Sequence, residues 1–320
     1  MLSKNIHQEN IKIKATRDAV SDALLDLGKK NKDIVVVSAD LAESTRIDKF
    51  AKKFPKRFFE LGVAEQNMAG VAAGLALSGK IAFAASFAVF SPGRNWDQIR
   101  ISICYSQANV KLISTHSGLS VGPDGASHQA LEDIAITRCL PNMTVLVPGD
   151  YLQAKKAILA ATTLKGPVYI RLTRQASPIY STQNTPFKIG QANVLLKGND
   201  VTIVACGPLV YEALLAAKEL KNKNISAEVI DLHTVKPLDK ATILRSIKKT
   251  KRLITIEDHQ IMGGMGSAIV EMSSQNYPVP TKLLGVQDRF GESGQPDQLW
   301  EKYGLSASHI IKAAINLINK

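Results

Sequence analysis

Residues 16–41, TRDAVSDALLDLGKKNKDIVVVSADL, decide the fold because they place a helix directly before a buried strand. Thr16 is positioned to cap the start of this helix, and Gly28 is positioned to end it. The run DIVVVSADL at 33–41 contains consecutive β-branched residues without alternation, which is typical of a strand buried on both faces of a parallel sheet. The apolar residues at helical spacing are Ala19, Ala23, Leu24 and Leu27.

The same alternation of strand and helix continues along the first half of the chain. Strands that alternate with helices predict a doubly wound α/β domain with right-handed crossovers. The further strand-like segments are FFELG (58–62), IAFAASFAVF (81–90), VKLISTHSG (110–118) and GPVYI (166–170). The further helix-like segments are 46–53, 64–79 and 96–107.

A second, smaller α/β domain follows a polar stretch that contains Pro186 and Gly190. We therefore predict a first domain over 1–183, a linker over 184–190 and a second domain over 191–320. The strand-like segments of the second domain are VTIVACG (201–207), SAEVIDL (226–232), KRLITIEDH (251–259) and VPTKLLGV (279–286). Its helices are expected at 211–223, after Pro237, after Gly266 and at 309–319.

Composition and cysteine usage indicate a globular protein of the cytoplasm. Of the 320 residues, 45% are hydrophobic and 21% are charged, and no apolar run approaches the ~20 residues of a membrane helix. The first residues, MLSKNIHQENIKIKATRD, lack the apolar centre of a signal peptide. Cys104, Cys139 and Cys206 form no CxxC pair, so we expect reduced thiols, each with a buried structural role.

The formal net charge of +12 does not predict a nucleic-acid or membrane partner. Basic residues are scattered, and the densest runs, 52–57 and 248–252, adjoin helix-like segments, which favours solvated helix ends. No aromatic residues are interleaved for base stacking. Small phosphorylated substrates also suit a basic surface.

Polar and aromatic residues at predicted strand ends are candidates for a site, because ligands of open α/β sheets bind beyond the carboxyl ends of the strands. Glu65 lies at a strand-to-helix turn, where it is either a functional carboxylate or a residue that caps the helix. Phe87 and Phe90 lie near the end of a strand, either exposed for binding or packed in the core.

Three further segments are ambiguous from their residues alone. The loop that contains His116, Asp124 and His128 is rich in glycine, but its spacing is weak evidence for a metal site. Arg171 and Arg174 follow a strand and suit either phosphate recognition or a surface ion pair. The GGMG run at 263–266 lacks full GxGxxG spacing, so it favours tight strand-to-helix packing over dinucleotide binding.

Taken together, these segments resemble the transketolase family over nearly the whole chain. GVAEQNM (62–68) and DGASHQALEDIA (124–135) are the most specific matches to its pyrimidine-binding domain, and the second half resembles its carboxyl-terminal domain. The β subunits of 2-oxo-acid dehydrogenases and deoxyxylulose-phosphate synthase are the nearest alternatives. The supporting segments are ATRDAV (15–20), DLAEST (40–45), SFAVFSPGRNWDQIR (86–100), RLTRQ (171–175), VIDLHTVKPLD (229–239) and ITIEDHQIMGGMGSAI (254–269).

The resemblance implies transfer of a two-carbon ketol unit from a ketose phosphate to an aldose phosphate, with thiamine diphosphate as cofactor. It implies that Glu65 hydrogen-bonds a pyrimidine ring nitrogen of the cofactor and that Phe87 and Phe90 stack on that ring. It also implies that His116 and His128 contact substrate and relay protons.

The substrate-binding residues implied by the resemblance favour a sugar phosphate. Asp124 matches a contact to substrate hydroxyls, and Arg17, Ser44 and Arg174 match the cluster that grips the substrate phosphate. This cluster is our reason for preferring a transketolase to a 2-oxo-acid dehydrogenase subunit. A scaffold or regulatory protein, the non-enzymatic alternative, would have no need of Glu65, His116 and Asp124.

The GDG…N motif that holds Mg²⁺ and the cofactor diphosphate in full-length relatives has no match in this chain. The resemblance therefore implies no metal ligand here and an N-terminal transketolase subunit that supplies them. We expect an α2β2 assembly that is active only when complete. Copies of this chain are expected to associate through the apolar helices around 65–77 and 96–107.

Overall fold

The structure, a computed structural model, describes residues 2–3, 6, 8 and 10–319. Its strands form a seven-stranded sheet, a five-stranded sheet and a two-stranded ribbon, with helices packed against them. The predicted pair of α/β units is confirmed. The strands are β1 (Ile13–Ala15), β2 (Ile34–Ser38), β3 (Phe58–Glu60), β4 (Ile81–Phe87), β5 (Val110–Thr115), β6 (Thr144–Leu146), β7 (Val168–Arg171), β8 (Ala176–Pro178), β9 (Asn193–Leu196), β10 (Val201–Ala205), β11 (Ala227–Asp231), β12 (Thr234–Lys236), β13 (Leu253–Gln260) and β14 (Thr281–Val286).

The helices occupy the connections that the sequence predicts and several that it does not. Helices over 133–138, 151–163 and 296–302 are additions to the prediction, and the segment after Trp96 continues as a π-helix over Ile99–Tyr105. The helices are α1 (Asp18–Lys30), α2 (Asp48–Lys53), α3 (Glu65–Leu77), α4 (Trp96–Gln98), α5 (Asp133–Arg138), α6 (Tyr151–Thr163), α7 (Leu209–Asn222), α8 (Lys240–Thr250), α9 (Met265–Asn276), α10 (Pro296–Lys302) and α11 (Ala307–Ile318). A single turn of 3₁₀ helix lies at Pro55–Arg57, and two 3₁₀ turns joined by a kink at Gly122 lie over Leu119–Asp124.

The larger sheet has the strand order β12-β6-β7-β5-β4-β2-β3, and all neighbours in it are parallel except β12 and β6. Every residue of β2 is buried, as its unbroken apolar run predicts. The parallel arrangement brings the carboxyl ends of β4, β5 and β7 to one edge of the sheet, where ligands of such sheets bind.

The two halves of the chain share this larger sheet. β12 belongs to the second half, yet it pairs antiparallel with β6, with Thr234 opposite Leu146. The main-chain N–H of Val147 extends the contact by donating to the carbonyl of His233 at 2.8 Å. The smaller sheet, in the order β14-β13-β10-β11-β9, is otherwise separate. A domain division at 184–190 stays a prediction.

The predicted ends of α1 are wrong. Thr16 makes no cap, because its hydroxyl instead accepts a hydrogen bond from the N–H of Thr173 at 2.7 Å. Gly28 does not end the helix, which continues to Lys30. Gly28 is buried there, and a Cβ at this position would lie 2.5 Å from the ring of Phe54, so close packing explains the glycine.

The prediction that every cysteine is buried is also wrong. Cys104 and Cys206 are buried, whereas Cys139 is exposed just after α5. Position 139 is the carboxyl-terminal cap of this short helix, which leaves the thiol at the surface. Within the part of the chain that the structure describes, no helix combines the length and apolar character needed to cross a membrane.

Candidate active site

His116 follows β5 directly and is held on three sides. Its backbone lies in the left-handed region, with φ of 57°, and its side chain is 3% exposed. The imidazole stacks on Phe87 with ring centroids 3.7 Å apart. Nδ1 lies 2.8 Å from the hydroxyl of Thr115, and Nε2 lies 3.0 Å from Nη1 of Arg17. The ring therefore has little freedom to turn.

These contacts also define the protonation state of His116. A guanidinium only donates hydrogen bonds, so Nε2 is the acceptor and the proton lies on Nδ1, which donates to Thr115. Burial, together with the positive charge of Arg17, lowers the pKa of His116 to about 3. His116 is thus neutral at physiological pH, with a lone pair on the nitrogen that faces the arginine.

The rings of Phe87, Phe90 and His128 line the edge of the sheet beside His116. Phe87 and Phe90 stack with centroids 5.9 Å apart, and His128 approaches the edge of Phe90 at 5.5 Å. Phe90 is half-buried and Phe87 is 7% exposed, so of the two alternatives that the sequence left open the structure shows packing in the interior for Phe87. Packing of the His116 imidazole over its ring accounts for that burial.

Glu65 begins α3 and is only 3% exposed. The residue at the N-cap of α3 is Ala64, and the carboxylate oxygens of Glu65 lie 3.2 and 3.3 Å from Nη1 of Arg94. The guanidinium of Arg94 lies 4.2 Å from the centre of the Phe90 ring. Arg94 thus stacks on one predicted site residue while it pairs with another.

Arg94 is a residue that sequence reasoning missed. The signal was the need of a buried carboxylate for a positive partner, together with an arginine four residues after Phe90. Sequence reasoning also missed Arg46, which pairs with Asp18 at 2.9 Å. The pKa of Arg17 is lowered first by its own burial and then by the positive charge of Arg46.

The three residues of the predicted phosphate cluster lie around His116. Arg17 donates to the main-chain carbonyl of Ser44 at 3.1 Å, so Ser44 contacts the cluster through its backbone. Arg174 pairs with Asp124 at 2.9 Å and lies near enough to Arg17 to lower its pKa. Buried Nε of Arg17 has no hydrogen-bond partner among the described residues. Two arginines therefore direct positive charge to one place.

Arg171 is not part of this cluster. It is 2% exposed and pairs with the equally buried Asp133, with Nε 2.7 Å from Oδ2. Tyr169 donates to the same carboxylate at 2.7 Å. For Arg171, the sequence left open phosphate recognition and a surface ion pair, and the structure shows neither but a buried ion pair. The reason is that this residue of β7 points into the interior, where it also donates to the carbonyl of Asp258 in the second half of the chain.

The GGMG run packs tightly, as we predicted. The carboxylate of Glu257 accepts hydrogen bonds from the N–H groups of Met265 at 2.6 Å and Gly266 at 2.8 Å. A Cβ at Gly264 would lie 2.3 Å from this carboxylate. Glu257 fills the place at the start of α9, and burial raises its pKa to about 7. An anion-binding role for this helix end is thereby excluded.

Comparison with known proteins agrees with the fold. The family model for the pyrimidine-binding domain of transketolase matches residues 12–179, and the model for the transketolase C-terminal domain matches residues 190–310. The chain belongs to the transketolase family, and it corresponds to the C-terminal section of a split member.

The individual relatives support this more particular assignment. A Methanocaldococcus jannaschii protein named as a transketolase C-terminal section is 46% identical, over 96% of this chain and 97% of its own. The 6-deoxy-6-sulfo-D-fructose transketolase subunit SqwH of a Clostridium species is 44% identical, over 93% of this chain and 92% of its own. A solved split-gene transketolase, described as an inactive β4 tetramer, has a TM-score of 0.89 and 47% identity, over 95% of this chain and 98% of its own.

Proposed function

We propose that this chain is the C-terminal subunit of a split transketolase. With a separate N-terminal subunit and thiamine diphosphate, it would transfer a two-carbon ketol unit from a ketose phosphate to an aldose phosphate. The observation that carries the proposal is the position of neutral His116, between the aromatic slot of Phe87 and the arginines at 17 and 174. One site thus combines a ring-binding surface, a proton acceptor and a positive patch.

The residues of the slot fit the aminopyrimidine ring of the cofactor. That ring is flat and carries hydrogen-bonding nitrogens, and Phe90 offers a face beside the buried carboxylate of Glu65. The guanidinium of Arg94, also flat, already lies over Phe90 and contacts Glu65. When bound, the cofactor supplies the carbanion chemistry. Glu65 would orient the ring and hold a proton at its nitrogen.

His116 and the arginines would act on the substrate. The lone pair of His116 Nε2 accepts from Arg17 in this structure, so it would be free to accept a hydrogen bond from a substrate hydroxyl once Arg17 turns to the substrate phosphate. Arg17 and Arg174 can grip a phosphate with their planar guanidinium groups. Asp124 holds Arg174 at 2.9 Å and can accept from a further hydroxyl, and His128 borders the same edge of the sheet.

The Mg²⁺ and cofactor diphosphate would be held by the N-terminal subunit, in an α2β2 assembly in the cytoplasm. Mg²⁺ prefers several oxygen ligands, and no group of three or more metal-ligating side chains occurs within residues 10–319 and the few described before them. Association of two copies through α3 and the π-helix is supported by exposed apolar side chains there, Leu77, Ile101 and Tyr105.

The proposal is tested with this chain alone and with a candidate N-terminal transketolase subunit. Thiamine diphosphate, Mg²⁺, xylulose 5-phosphate and ribose 5-phosphate are supplied, and sedoheptulose 7-phosphate is followed. We expect product only when both chains are present. An assembled mixture that binds cofactor and makes no product would overturn the proposal. Turnover of a 2-oxo acid in its place would identify a dehydrogenase β subunit, and condensation of pyruvate with glyceraldehyde 3-phosphate would identify deoxyxylulose-phosphate synthase.

A further inference from the structure

A carboxylate from the second half of the chain holds a loop of the first half. Asp258 lies on β13 and is 1% exposed. Its Oδ1 accepts a hydrogen bond from the N–H of Leu119 at 2.9 Å, and its Oδ2 accepts from the N–H of Ser120 at 3.3 Å. Such charge-assisted bonds to backbone donors are among the stronger hydrogen bonds in proteins.

The loop is pressed against this carboxylate. Gly118 has φ of +73°, a conformation that other residues adopt only under strain. A Cβ at this position would lie 2.2 Å from Oδ2 of Asp258. The glycine is therefore required both by its backbone angle and by the closeness of the carboxylate.

The 118–125 loop in turn places two residues of the candidate active site. The carbonyl of Val121 accepts from Nη1 of Arg174 at 3.3 Å, and Asp124 pairs with the same nitrogen at 2.9 Å. The orientation of Arg174 thus depends on where this loop lies, and Asp124 is part of the loop itself.

The second half of the chain also bonds to the segment after the 118–125 loop and to the strand before Arg174. Gln129, which lies just after it, donates to the carbonyl of Glu292 at 3.0 Å. Arg171, three residues before Arg174, donates to the main-chain carbonyl of Asp258 at 2.9 Å. Asp258 is therefore bonded both to the 118–125 loop and to the strand that leads to Arg174.

We propose that Asp258 is a positioning residue for substrate binding. Its buried carboxylate fixes the 118–125 loop, so that Asp124 and Arg174 are presented together to the anionic end of the sugar substrate. This inference rests on the proposed transketolase function, but the position of the loop is measurable without any turnover. Asp258 itself contacts the loop backbone and is assigned no contact with substrate or cofactor.

The test compares Asp258→Asn with the matched variant Glu257→Gln in the full chain. Glu257 is the adjacent residue, is also buried, and also accepts two backbone N–H groups, but these belong to α9. Amide hydrogen exchange is followed peptide by peptide. We expect Asp258→Asn to speed exchange at 118–125 by roughly 10-fold, as loss of one charged hydrogen bond implies, and Glu257→Gln to act at the start of α9 only.

The second measurement uses the assembly with the N-terminal subunit. We expect Asp258→Asn to raise the KM for the ketose phosphate by roughly 10-fold, with kcat less affected and the Kd for thiamine diphosphate within about 2-fold of wild type. If Asp258→Asn does not fold, Gly118→Ala moves the same loop away from the carboxylate from the other side and should give the same pattern.

The outcomes separate this inference from the proposed function. Unchanged exchange at 118–125, or faster exchange with unchanged KM in an active assembly, would overturn the positioning role and leave the function intact. A wild-type assembly without ketol transfer would overturn the proposed function, and with it the role of Asp258 towards substrate. Faster loop exchange together with a raised KM supports both.

Discussion

Arg17 donates a hydrogen bond to Nε2 of His116 across 3.0 Å, so a permanent cation lies against the nitrogen that a substrate hydroxyl would use. The arrangement keeps the imidazole neutral. A proton on Nε2 would be repelled by the guanidinium, and Nε2 could then no longer accept the hydrogen bond from Arg17. The same cation belongs to the positive patch, which couples proton acceptance to binding of an anionic group.

His116 should therefore remain neutral well below the pH at which histidine ordinarily titrates. Burial and Arg17 lower its pKa to about 3, so the folded state binds fewer protons than the unfolded state between pH 3 and about 6.5. Its contribution favours folding above pH 6.5 and is lost as the pH falls through that window. ¹⁵N imidazole shifts, assigned with His116→Gln, should show a single proton, on Nδ1, at pH 5.5; a doubly protonated ring would contradict this.

Glu65→Gln should abolish most ketol transfer without unfolding the chain. The amide keeps the shape of the side chain but cannot hold the charge needed beside the cofactor ring, so we expect turnover to fall by roughly 100- to 10,000-fold. Glu60→Gln is the matched control, because Glu60 is exposed and its carboxylate accepts backbone N–H groups from the neighbouring loop. Substantial turnover of the Glu65 variant in the assembled enzyme would remove Glu65 from the mechanism.

The pair formed by Glu65 and Arg94 should be measurable as a coupling energy. Glu65 is buried whereas the Arg94 side chain is 52% exposed, so solvent screens one side of the pair. We expect a double-mutant cycle with Glu65→Gln and Arg94→Gln to give about 1 kcal/mol in urea unfolding. Additive effects of the two changes would mean that Arg94 does not stabilise the carboxylate in solution.

Lys111 should make the protein more stable as the pH rises above neutrality. Its Nζ donates to the carbonyls of Leu164 at 2.7 Å and Gly166 at 2.6 Å, and a neutral amine has the two N–H groups that this requires. Burial lowers the pKa of Lys111 to about 7, below its ordinary value of 10.5, so the unfolded state binds more protons between these values.

The measurement for Lys111 is the pH dependence of urea unfolding between pH 7 and about 9.5. The wild type should gain stability relative to Lys111→Met by up to about 1.4 kcal/mol per pH unit. Lys111→Gln provides a second variant that keeps a donor in the same place. Parallel pH profiles of the wild type and both variants would show that the amine is charged in the folded state.

One thiol should react in the native protein and three after unfolding. Cys139 is exposed, whereas Cys104 and Cys206 are buried, and burial raises the pKa of Cys104 to about 11. A chromogenic disulfide reagent should therefore titrate Cys139 alone before denaturant is added. Cys139→Ser should remove the native reaction; any fast native reaction that survives this change would place a second thiol at the surface.

The sequence was sufficient to predict the features that depend on local pattern. The uninterrupted apolar run of β2 indicated a buried parallel strand, and the sequence placed His116 where a strand leads into a loop and Glu65 at the start of a helix; their roles stay predictions. These inferences succeed because burial on both faces and the direction of parallel strands follow from residues near one another in the chain.

Features that depend on distant segments could not be predicted. Thr16 has the residue type of a helix cap, but Thr173, 157 positions away, takes its hydroxyl. Arg171 and Arg174 are close in sequence, but Arg171 pairs with the buried Asp133 whereas Arg174 pairs with Asp124 near the candidate site. Their different positions depend on these distant partners. The contact of Asp258 with the loop before Asp124 spans 139 positions, and no spacing pattern reports it.

The pairing of β12 with β6 also bears on how this polypeptide can be rearranged by recombination. Residues 234–236 pair with β6, which would otherwise be the last strand at that edge of the larger sheet, although they follow the predicted linker at 184–190. Cutting the gene at that connection would strip the cover from β6 and leave an open edge that invites aggregation. The two halves are therefore expected to be inherited together as one exchangeable module.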